Sequence, residues 1–589
     1  MLMTFSPRPL ARPWLLALAF IVLVAPAWGQ DKPDEIDRLM ETYHDYGLFN
    51  GTVLVADHGK VIFKKGYGWA DMEWDLPNAP DVKFRLGSIT KQFTATLILQ
   101  LVNEGKIALD DPLTKHLPGY PAEVGDKVTI HHLLTHTSGI PSYTGLPDFF
   151  PEMSRDAYTV PDFIEVFAHL PLEFEPGTQW RYDNSGYFLL GAVIEAVTGQ
   201  TYEEALRERI FGPLGMNDSG YDHHATILKK RAAGYEKEGL DYVNAPFLDM
   251  SLPYAAGSLY STVEDLYTWD RALYTEAVLP ASLKEKMFTP YMNDYGYGWN
   301  IREQPVGVTG RTTKLISHGG GINGFNTAIV RVPDGERLIV LLNNTGGTDL
   351  RSMGLGILAI LYGEPAIPPK KPISTELMEV IREKGVAAAL AHYDRMKAER
   401  PDAFDFGERE LNTLGYALLR SGDTEGAIAV FERNVEAFPE ASNPYDSLGE
   451  AYMEAGRTDE AIAAYLKTLA LNPDNDNARD RLRRLGVPED EIPGPERPAG
   501  PELAPEVLER YVGRYELQPG FVITVTREGA QLFAQATGQP RVEIFPSSET
   551  TFYLKVVEAR ITFHTDGDGP ATSLTLHQGG RETPGKRIE

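Results

Sequence analysis

The sequence predicts a chain of three structured parts: a mixed α/β domain, an array of helical repeats and a small antiparallel β-domain. Three observations lead to this order. Apolar residues recur at helical spacing over 93–101, whereas residues 325–332 alternate and are rich in β-branched side chains. A sequence pattern then repeats after 34 residues, and short alternating runs follow residue 505. A chain of 589 residues is also too long for a single hydrophobic core.

Residues 1–29 have the composition of a secretory signal peptide. Two arginines precede an uncharged apolar run over 14–25, and small residues follow it. The run is too short for an ordinary membrane span. We expect cleavage after about Gly29 and a mature protein that is periplasmic or secreted, with no membrane span after cleavage. An uncleaved membrane anchor is the alternative.

The composition excludes several kinds of chemistry and of partner. The chain contains no cysteine, which excludes disulfides and thiol catalysis. Its 83 acidic residues against 56 Lys and Arg give a formal net charge of −27. Nucleic acid and anionic membrane surfaces are therefore poor partners.

A serine and a lysine stand one helical turn apart at Ser88 and Lys91, just before the apolar helix pattern of 93–101. Side chains at positions i and i+3 share a helix face, so this spacing sets a nucleophile beside a base. A serine at the amino end of a helix also lies near free backbone N–H groups that suit an oxyanion. The alternative is an ordinary N-cap serine followed by a surface lysine.

Two further motifs accompany this pair: Tyr182-Asp183-Asn184 and His318-Gly319-Gly320. The pattern Tyr-x-Asn occurs three times, beginning at Tyr182, Tyr242 and Tyr291. Only the copy at Tyr182 follows Pro-Gly-x-x-Trp and precedes an apolar helix pattern. Context therefore favours Tyr182 as the functional copy.

With the segments 133–141, 176–187 and 255–262, these motifs make the sequence similar to the serine β-lactamase and penicillin-binding protein superfamily. The similarity is to class C β-lactamase-like hydrolases, which include D-aminopeptidases and esterases. It extends over about 36–362, within a predicted catalytic domain of 31–362. The resemblance implies an α/β (α+β) fold with an antiparallel sheet flanked by helices. It also implies hydrolysis of an amide or ester through an acyl-serine, without a cofactor or metal.

The resemblance further implies roles for five side chains. Ser88 would attack the acyl carbonyl, and Lys91 would accept its proton. Tyr182 would pass protons to the leaving group and from the deacylating water. Asn184 would orient the lysine and the substrate amide, and the strand that carries His318 would line the cleft. A lysine can act as a base only if its pKa is lowered by burial or by a neighbouring cation.

The third motif departs from the Lys-Thr-Gly of true class C β-lactamases. His318 replaces a permanent cation with a group that is largely neutral near pH 7, so recognition of a substrate carboxylate should weaken. This favours D-amino-acid peptides, then simple esters, then β-lactams as substrates. By the resemblance, the amides of Ser88 and Gly321 would form the oxyanion hole, and Gly320 would lie beside them in the substrate-binding strand.

Two other patterns carry weaker alternatives. His132 and His136 stand four apart, as in a helical metal pair, but no glutamate follows His132 and no third ligand is placed, which favours a structural loop. Residues 319–324 match Gly-x-Gly-x-x-Gly. A dinucleotide loop must lead into a helix, whereas 325–332 predicts a strand, so we reject a nucleotide cofactor.

Residues 363–375 are predicted to be a proline-rich linker. Beyond it, the positions Leu414, Gly415, Gly422, Ala427, Phe431 and Pro439 recur 34 residues later as Leu448, Gly449, Gly456, Ala461, Tyr465 and Pro473. Small residues permit close helix contact and aromatic residues fill the gap, as in the tetratricopeptide repeat. A partial match at Ala389, Tyr393 and Pro401 indicates a degenerate third copy.

We therefore expect one helical domain over 376–486, because about three stacked units are needed for a stable array. A plain helical spacer is the alternative. The repeats could bind a protein partner or pack on the hydrolase. A second linker, 487–505, contains six prolines. Residues 506–589 then show short alternating runs at 511–515, 521–526, 531–534, 551–554 and 560–563, which predict a small antiparallel barrel.

The sequence as a whole predicts an exported serine hydrolase that acts on a small-molecule or peptide substrate. The alternative is a catalytically weak or inactive penicillin-binding-like protein that binds peptidoglycan fragments or a protein through its repeats. A covalent label on Ser88 would separate the two.

Overall fold

The computed structural model describes residues 32–493, 503–518, 521–537, 539, 541–554, 559–565, 569–578 and 581–588. The predicted signal peptide lies outside the described residues, as does part of the predicted linker 487–505. Within the described ranges, no helix combines the length and the apolar character that a bilayer span requires.

An antiparallel sheet of six strands, in the order β10-β11-β12-β13-β1-β2, is the centre of the first domain. The strands of this domain are β1 Gly51–Asp57, β2 Lys60–Tyr67, β3 Trp69–Asp71, β4 Leu76–Pro77, β5 Phe84–Arg85, β6 Gly220–Tyr221, β7 Tyr235–Glu238, β8 Asp241–Asn244, β9 Leu259–Ser261, β10 Asn300–Val306, β11 Arg311–Ile322, β12 Phe325–Val332 and β13 Arg337–Asn343. Strand β12 begins where the alternating pattern predicted a strand. Strands β1 and β13 are buried along their whole length because helices cover both faces of the sheet.

The helices of this domain form two unequal layers. They are α1 Lys32–Asp45, α2 Thr90–Asn103, α3 Leu113–His116, α4 Ala122–Gly125, α5 Ile130–Leu134, α6 Val160–Ala168, α7 Asn184–Thr198, α8 Tyr202–Leu206, α9 Gly212–Leu214, α10 Tyr254–Gly257, α11 Val263–Leu273, α12 Ala281–Met287 and α13 Leu350–Leu361. Helices α1 and α13 cover one face, which we call the reverse face, and pack on Val53 and Val55 of β1. The larger layer, around α2, packs on Leu54 and Ala56 of the opposite face, which we call the front face. The alternation of β1 thus divides the core in two.

The repeats form a separate helical core, which confirms the prediction of a tetratricopeptide-like region. Its helices are α14 Ile373–Lys384, α15 Val386–Glu399, α16 Glu408–Arg420, α17 Thr424–Ala437, α18 Ser442–Glu454, α19 Thr458–Leu471 and α20 Asp476–Arg484; two short strands, β14 Lys371–Pro372 and β15 Phe404–Asp405, pair in parallel beside them. A side chain at Gly449 would meet the ring of Tyr465 at 3.0 Å. Ala389 and Tyr393 of the partial copy are fully buried in the same core.

Helix α16 also packs on the first domain, at the β7–β8 hairpin. A side chain at Gly239, in the hairpin turn, would collide with the guanidinium of Arg420. Burial is the main cause of a lowered pKa at Lys237 of the hairpin, with Arg409 of α16 adding to it. The repeats therefore rest on the first domain at this point, one of the two possibilities that the sequence left open.

The carboxy-terminal segment is a closed barrel of eight strands, in agreement with the predicted barrel. After α21 Pro505–Glu509, its strands are β16 Gly513–Gln518, β17 Phe521–Glu528, β18 Gln531–Ala536, β19 Val542–Pro546, β20 Thr551–Leu554, β21 Ala559–Thr565, β22 Ala571–Gln578 and β23 Arg581–Arg587. Pairing of β16 with β23 closes it. The alternating runs located five of these strands. The last strand has no apolar residue to alternate, and only its pairing with β22 and β16 reveals it.

Candidate active site

Ser88 lies in a single 3₁₀ turn, Gly87–Ile89, that leads directly into α2. The sequence placed the serine at the amino end of a buried helix, and the structure has it two residues before that helix begins. Residues 90–99 of α2 are all buried, because the helix runs through the middle of the larger core. Gly87 adopts φ +53°, a conformation that favours glycine. The turn thus presents a half-buried hydroxyl at the edge of a rigid core.

Lys91 is a fully buried lysine whose amine points at the serine. Its Nζ lies 3.2 Å from Ser88 Oγ, 2.8 Å from Asn184 Oδ1 and 2.9 Å from the carbonyl oxygen of Ala256. The amine also lies 4.8 Å from the centre of the Tyr182 ring. Among the described residues, the hydrogen-bond partners of the lysine are therefore all neutral groups.

Burial lowers the pKa of Lys91 to about 7, and the charge of nearby Asp183 opposes this shift only in part. An ordinary lysine has a pKa of about 10.4. Removing the amine from water disfavours its charged form, and the charge of Asp183 is too weak an influence to restore the usual pKa. Near neutral pH, a large share of Lys91 is therefore an uncharged amine that can accept the serine proton.

The ring of Tyr182 lies beside the amine of Lys91. Burial raises the pKa of Tyr182, and its neighbour Ser88 opposes the rise. The phenol is thus neutral at physiological pH. Its hydroxyl is buried and forms no hydrogen bond of normal geometry within the described part of the chain. A neutral phenol next to Ser88 is better suited to relay a proton than to act as the base.

The start of α7 orients the lysine. Asp183 is the N-cap of this helix, and its carboxylate accepts a hydrogen bond from Gly186 N at 3.0 Å. Asn184 is the first helical residue: its Oδ1 accepts from Lys91, while its Nδ2 donates to Thr144 Oγ1 at 3.0 Å. The amide is thereby fixed with its oxygen toward the lysine. The helix start thus fixes the positions of Tyr182 and Asn184 together.

His318 lies on β11, with its ring 6.2 Å from the ring of Tyr182, and is nearly fully buried. Its Nδ1 is 2.6 Å from the carbonyl oxygen of Gly319, which can only accept, so Nδ1 carries the proton. Its Nε2 then accepts from the Tyr295 hydroxyl at 2.9 Å. Burial, with a further contribution from Lys91, lowers the pKa of His318 to about 4. The imidazole is neutral, as the departure from Lys-Thr-Gly predicted.

The turn that carries the serine is fitted closely against β11. A side chain at Gly87 would lie 3.0 Å from both N and O of Gly321, and one at Gly320 would collide with the Leu86 carbonyl. Thr327 Oγ1 donates to that same carbonyl at 2.7 Å. The glycines of the third motif therefore allow the strand to approach the nucleophile, which brings the backbone of Gly321 to the predicted oxyanion hole.

Three groups of the site were not identified from sequence: Tyr295, His136 and the carbonyl of Ala256. His136 accepts a hydrogen bond from Asp183 N at 3.1 Å, and its ring lies 4.3 Å from that of Tyr182. Its sequence signals were its place in segment 133–141 and its spacing of four from His132, and neither pointed to this contact. His132 instead closes a capping box with Thr129 at α5. The two histidines thus have separate structural tasks.

Comparison with known proteins gives matches to all three parts. A family described as Beta-lactamase matches residues 36–361, a tetratricopeptide repeat family matches 412–476, and a domain of unknown function, DUF3471, matches 497–587. Penicillin-binding protein 4* of Bacillus subtilis is 27% identical over 95% of this chain and 100% of its own length. The putative penicillin-binding protein PbpX of the same organism is 32% identical over 50% of this chain and 71% of its own. A solved D-stereospecific amidohydrolase from Streptomyces sp. is 29% identical, covers 55% of this chain and 97% of its own, and has a TM-score of 0.48.

Proposed function

Because this chain belongs to the β-lactamase family, we propose that it hydrolyses an amide or ester bond through a covalent acyl-Ser88 intermediate. The observation that supports this most is the pair of Ser88 Oγ and Lys91 Nζ at 3.2 Å, with the amine fully buried. A nucleophile within hydrogen-bond reach of a base that a third group orients is the usual arrangement for covalent acyl transfer.

In the acylation step, Ser88 Oγ bonds to the carbonyl carbon and its proton passes to Lys91 Nζ. The carbonyl oxygen becomes an oxyanion that the N–H groups of Ser88 and Gly321 would stabilise. The intermediate then collapses, the bond to the leaving group breaks, and the proton returns from Lys91 through the Tyr182 hydroxyl to the leaving amine or alcohol. Water attacks the acyl-enzyme by the same route in reverse, releasing the acid and restoring Ser88.

The substrates that this site fits best carry no essential carboxylate next to the third motif. His318 is neutral and is held by Tyr295, so it presents a dipole where a lysine would present a charge. We therefore propose D-aminoacyl amides or peptides as the first substrate class and simple esters as the second. β-Lactams follow, because their carboxylate would lose an ionic partner at this position.

The test is covalent labelling with a fluorophosphonate, followed by peptide mapping. We expect one adduct per chain on Ser88, no adduct on Ser88→Ala, and full labelling of the matched control Ser282→Ala, which changes an exposed serine of α12. A panel of D-aminoacyl amides, p-nitrophenyl esters and β-lactams then ranks the substrates. A folded wild-type protein that takes no label would contradict the hydrolase and favour the binding protein.

A further inference from the structure

A cavity of about 170 Å³ lies on the reverse face of β11, between the sheet and helix α13. Its walls are mostly apolar and come from Leu315, Ala328, Val330, Leu350, Leu355 and Leu358. Neighbouring residues of a strand point to opposite faces. The ring of His318 points to the front face, where it meets Tyr295, so Ser317 and Gly319 face this cavity. His318 is also among the residues that line the cavity, which lies on the other side of the strand from its ring.

Two glycines keep the cavity open. Gly354 lies in the interior of α13, where glycine is destabilising relative to alanine, yet a side chain there would meet nothing within 4 Å. Gly319, in β11, would meet only the Thr327 carbonyl oxygen, at 3.6 Å. By contrast, a side chain at Gly356 on the same helix would meet Leu39 at 2.9 Å, so that glycine is explained by packing. Neither close packing nor backbone conformation accounts for Gly354.

Two arginines line the same cavity. The Nε of Arg302 is buried and has no hydrogen-bond partner within the described residues. Arg351 projects from the first turn of α13 and is close enough to contribute, after burial, to a lowered pKa at Arg302. Asp349 caps α13, and the charge of Asp294 opposes the lowered pKa of Arg302 only in part. Among the described residues neither arginine forms an ion pair, although the chain is strongly acidic.

We propose that this cavity binds a small amphiphilic anion, namely a carboxylate on a short apolar body. The apolar wall accommodates the body, and the guanidinium groups of Arg302 and Arg351 donate hydrogen bonds to the carboxylate, for which their planar donors are suited. An apolar protein cavity of about 150 Å³ holds a molecule the size of benzene. An apolar body of about six carbon atoms therefore fits, with its carboxylate at the arginines. Its anion would also relieve the repulsion between the two arginines.

The experiment is calorimetric titration of the full-length protein with hexanoate, hexanol and acetate. We expect hexanoate to bind saturably, with hexanol at least about tenfold weaker because it lacks the charge. Acetate, which lacks the apolar body, should show no saturable binding. No binding of hexanoate, or equal binding of hexanol, would overturn the proposal.

Variants locate the site. Gly354→Leu fills the cavity without touching the catalytic cleft and should abolish hexanoate binding, while Arg302→Gln should weaken it at least about tenfold. Arg484→Gln, which changes an exposed arginine of the last repeat helix, is the matched control and should bind as wild type. Melting curves verify the fold of each variant. Unchanged affinity in folded Gly354→Leu or Arg302→Gln would place the ligand elsewhere and refute the site.

Discussion

Asn184→Asp is the substitution that tests the role of Lys91 most informatively. It replaces the amide NH₂ with an oxygen, which adds one negative charge and hardly changes the volume of the side chain. The new carboxylate lies where Asn184 Oδ1 now lies, 2.8 Å from the amine. An opposite charge at that distance raises the pKa of a lysine by about 1–3 units. From about 7 in the wild type, the pKa of Lys91 would then rise to about 8–10.

The magnitude follows from the fraction of neutral amine. With a pKa of about 7, half of Lys91 is neutral at pH 7. In Asn184→Asp that fraction falls about 5-fold to 500-fold, and acylation at pH 7 should fall by the same factor. Below its pKa the acylation rate drops tenfold per pH unit, so the variant should recover as the pH rises to about 10.

The assay is single-turnover acylation with a chromogenic ester between pH 5 and 10. Asn184→Ala is the control, because it removes the orienting amide without adding charge and should lower the plateau without moving the midpoint upward. A profile for Asn184→Asp that superimposes on the wild-type profile would refute the assignment of Lys91 as the base.

Three other predictions follow from the same site. Tyr182→Phe should lower kcat by about 10²–10⁴-fold, because it removes the group that relays the proton. The melting temperature should not change, because the lost hydroxyl forms no hydrogen bond of normal geometry among the described residues. Steady-state kinetics test this, and full activity would exclude the relay. His318→Lys should raise kcat/KM for carboxylate-bearing β-lactams relative to neutral esters by about tenfold, which corresponds to the free energy of one charge-assisted hydrogen bond. An unchanged ratio would show that the residue at this position does not recognise the charge of the substrate. The pKa of Lys91 is lowered on folding, so the unfolded chain binds more protons than the folded chain between about pH 7 and 10. The buried lysine therefore lowers the free energy of unfolding. This loss is fully present below pH 7 and fades as the pH rises to about 10. The difference in the free energy of unfolding between wild type and Lys91→Met should change by up to about 4 kcal/mol across that window in chemical denaturation, and a constant difference would contradict the lowered pKa.

Local spacing carried most of what the sequence could predict. Ser88 and Lys91 stand three residues apart across one 3₁₀ turn and helix start, and Tyr182 and Asn184 flank another helix start, so their geometry follows from positions a few residues apart. The 34-residue repeat was equally visible, because a small residue such as Gly449 and its partner Tyr465 must recur together.

The remaining contacts join distant parts of the chain. The hydrogen bond between Tyr295 and His318 depends on how a loop and a strand meet at the edge of the sheet. The tilted ring contact between His136 and Tyr182 depends on a loop with its own backbone conformation. Neither has a periodic signature. The reverse-face cavity could not be predicted either. From sequence alone, a glycine within a helix, such as Gly354, cannot be distinguished from a glycine that close packing requires, because its neighbours in space are not known.

The ionisation of Lys91 is the property on which the proposed chemistry depends, and heteronuclear NMR can measure it directly. Wild-type protein labelled at lysine should show one side-chain resonance that titrates near pH 7, assigned by its absence in Lys91→Arg. A Lys91 resonance that titrates above about pH 9.5, as an ordinary lysine does, would contradict a neutral amine poised to activate Ser88.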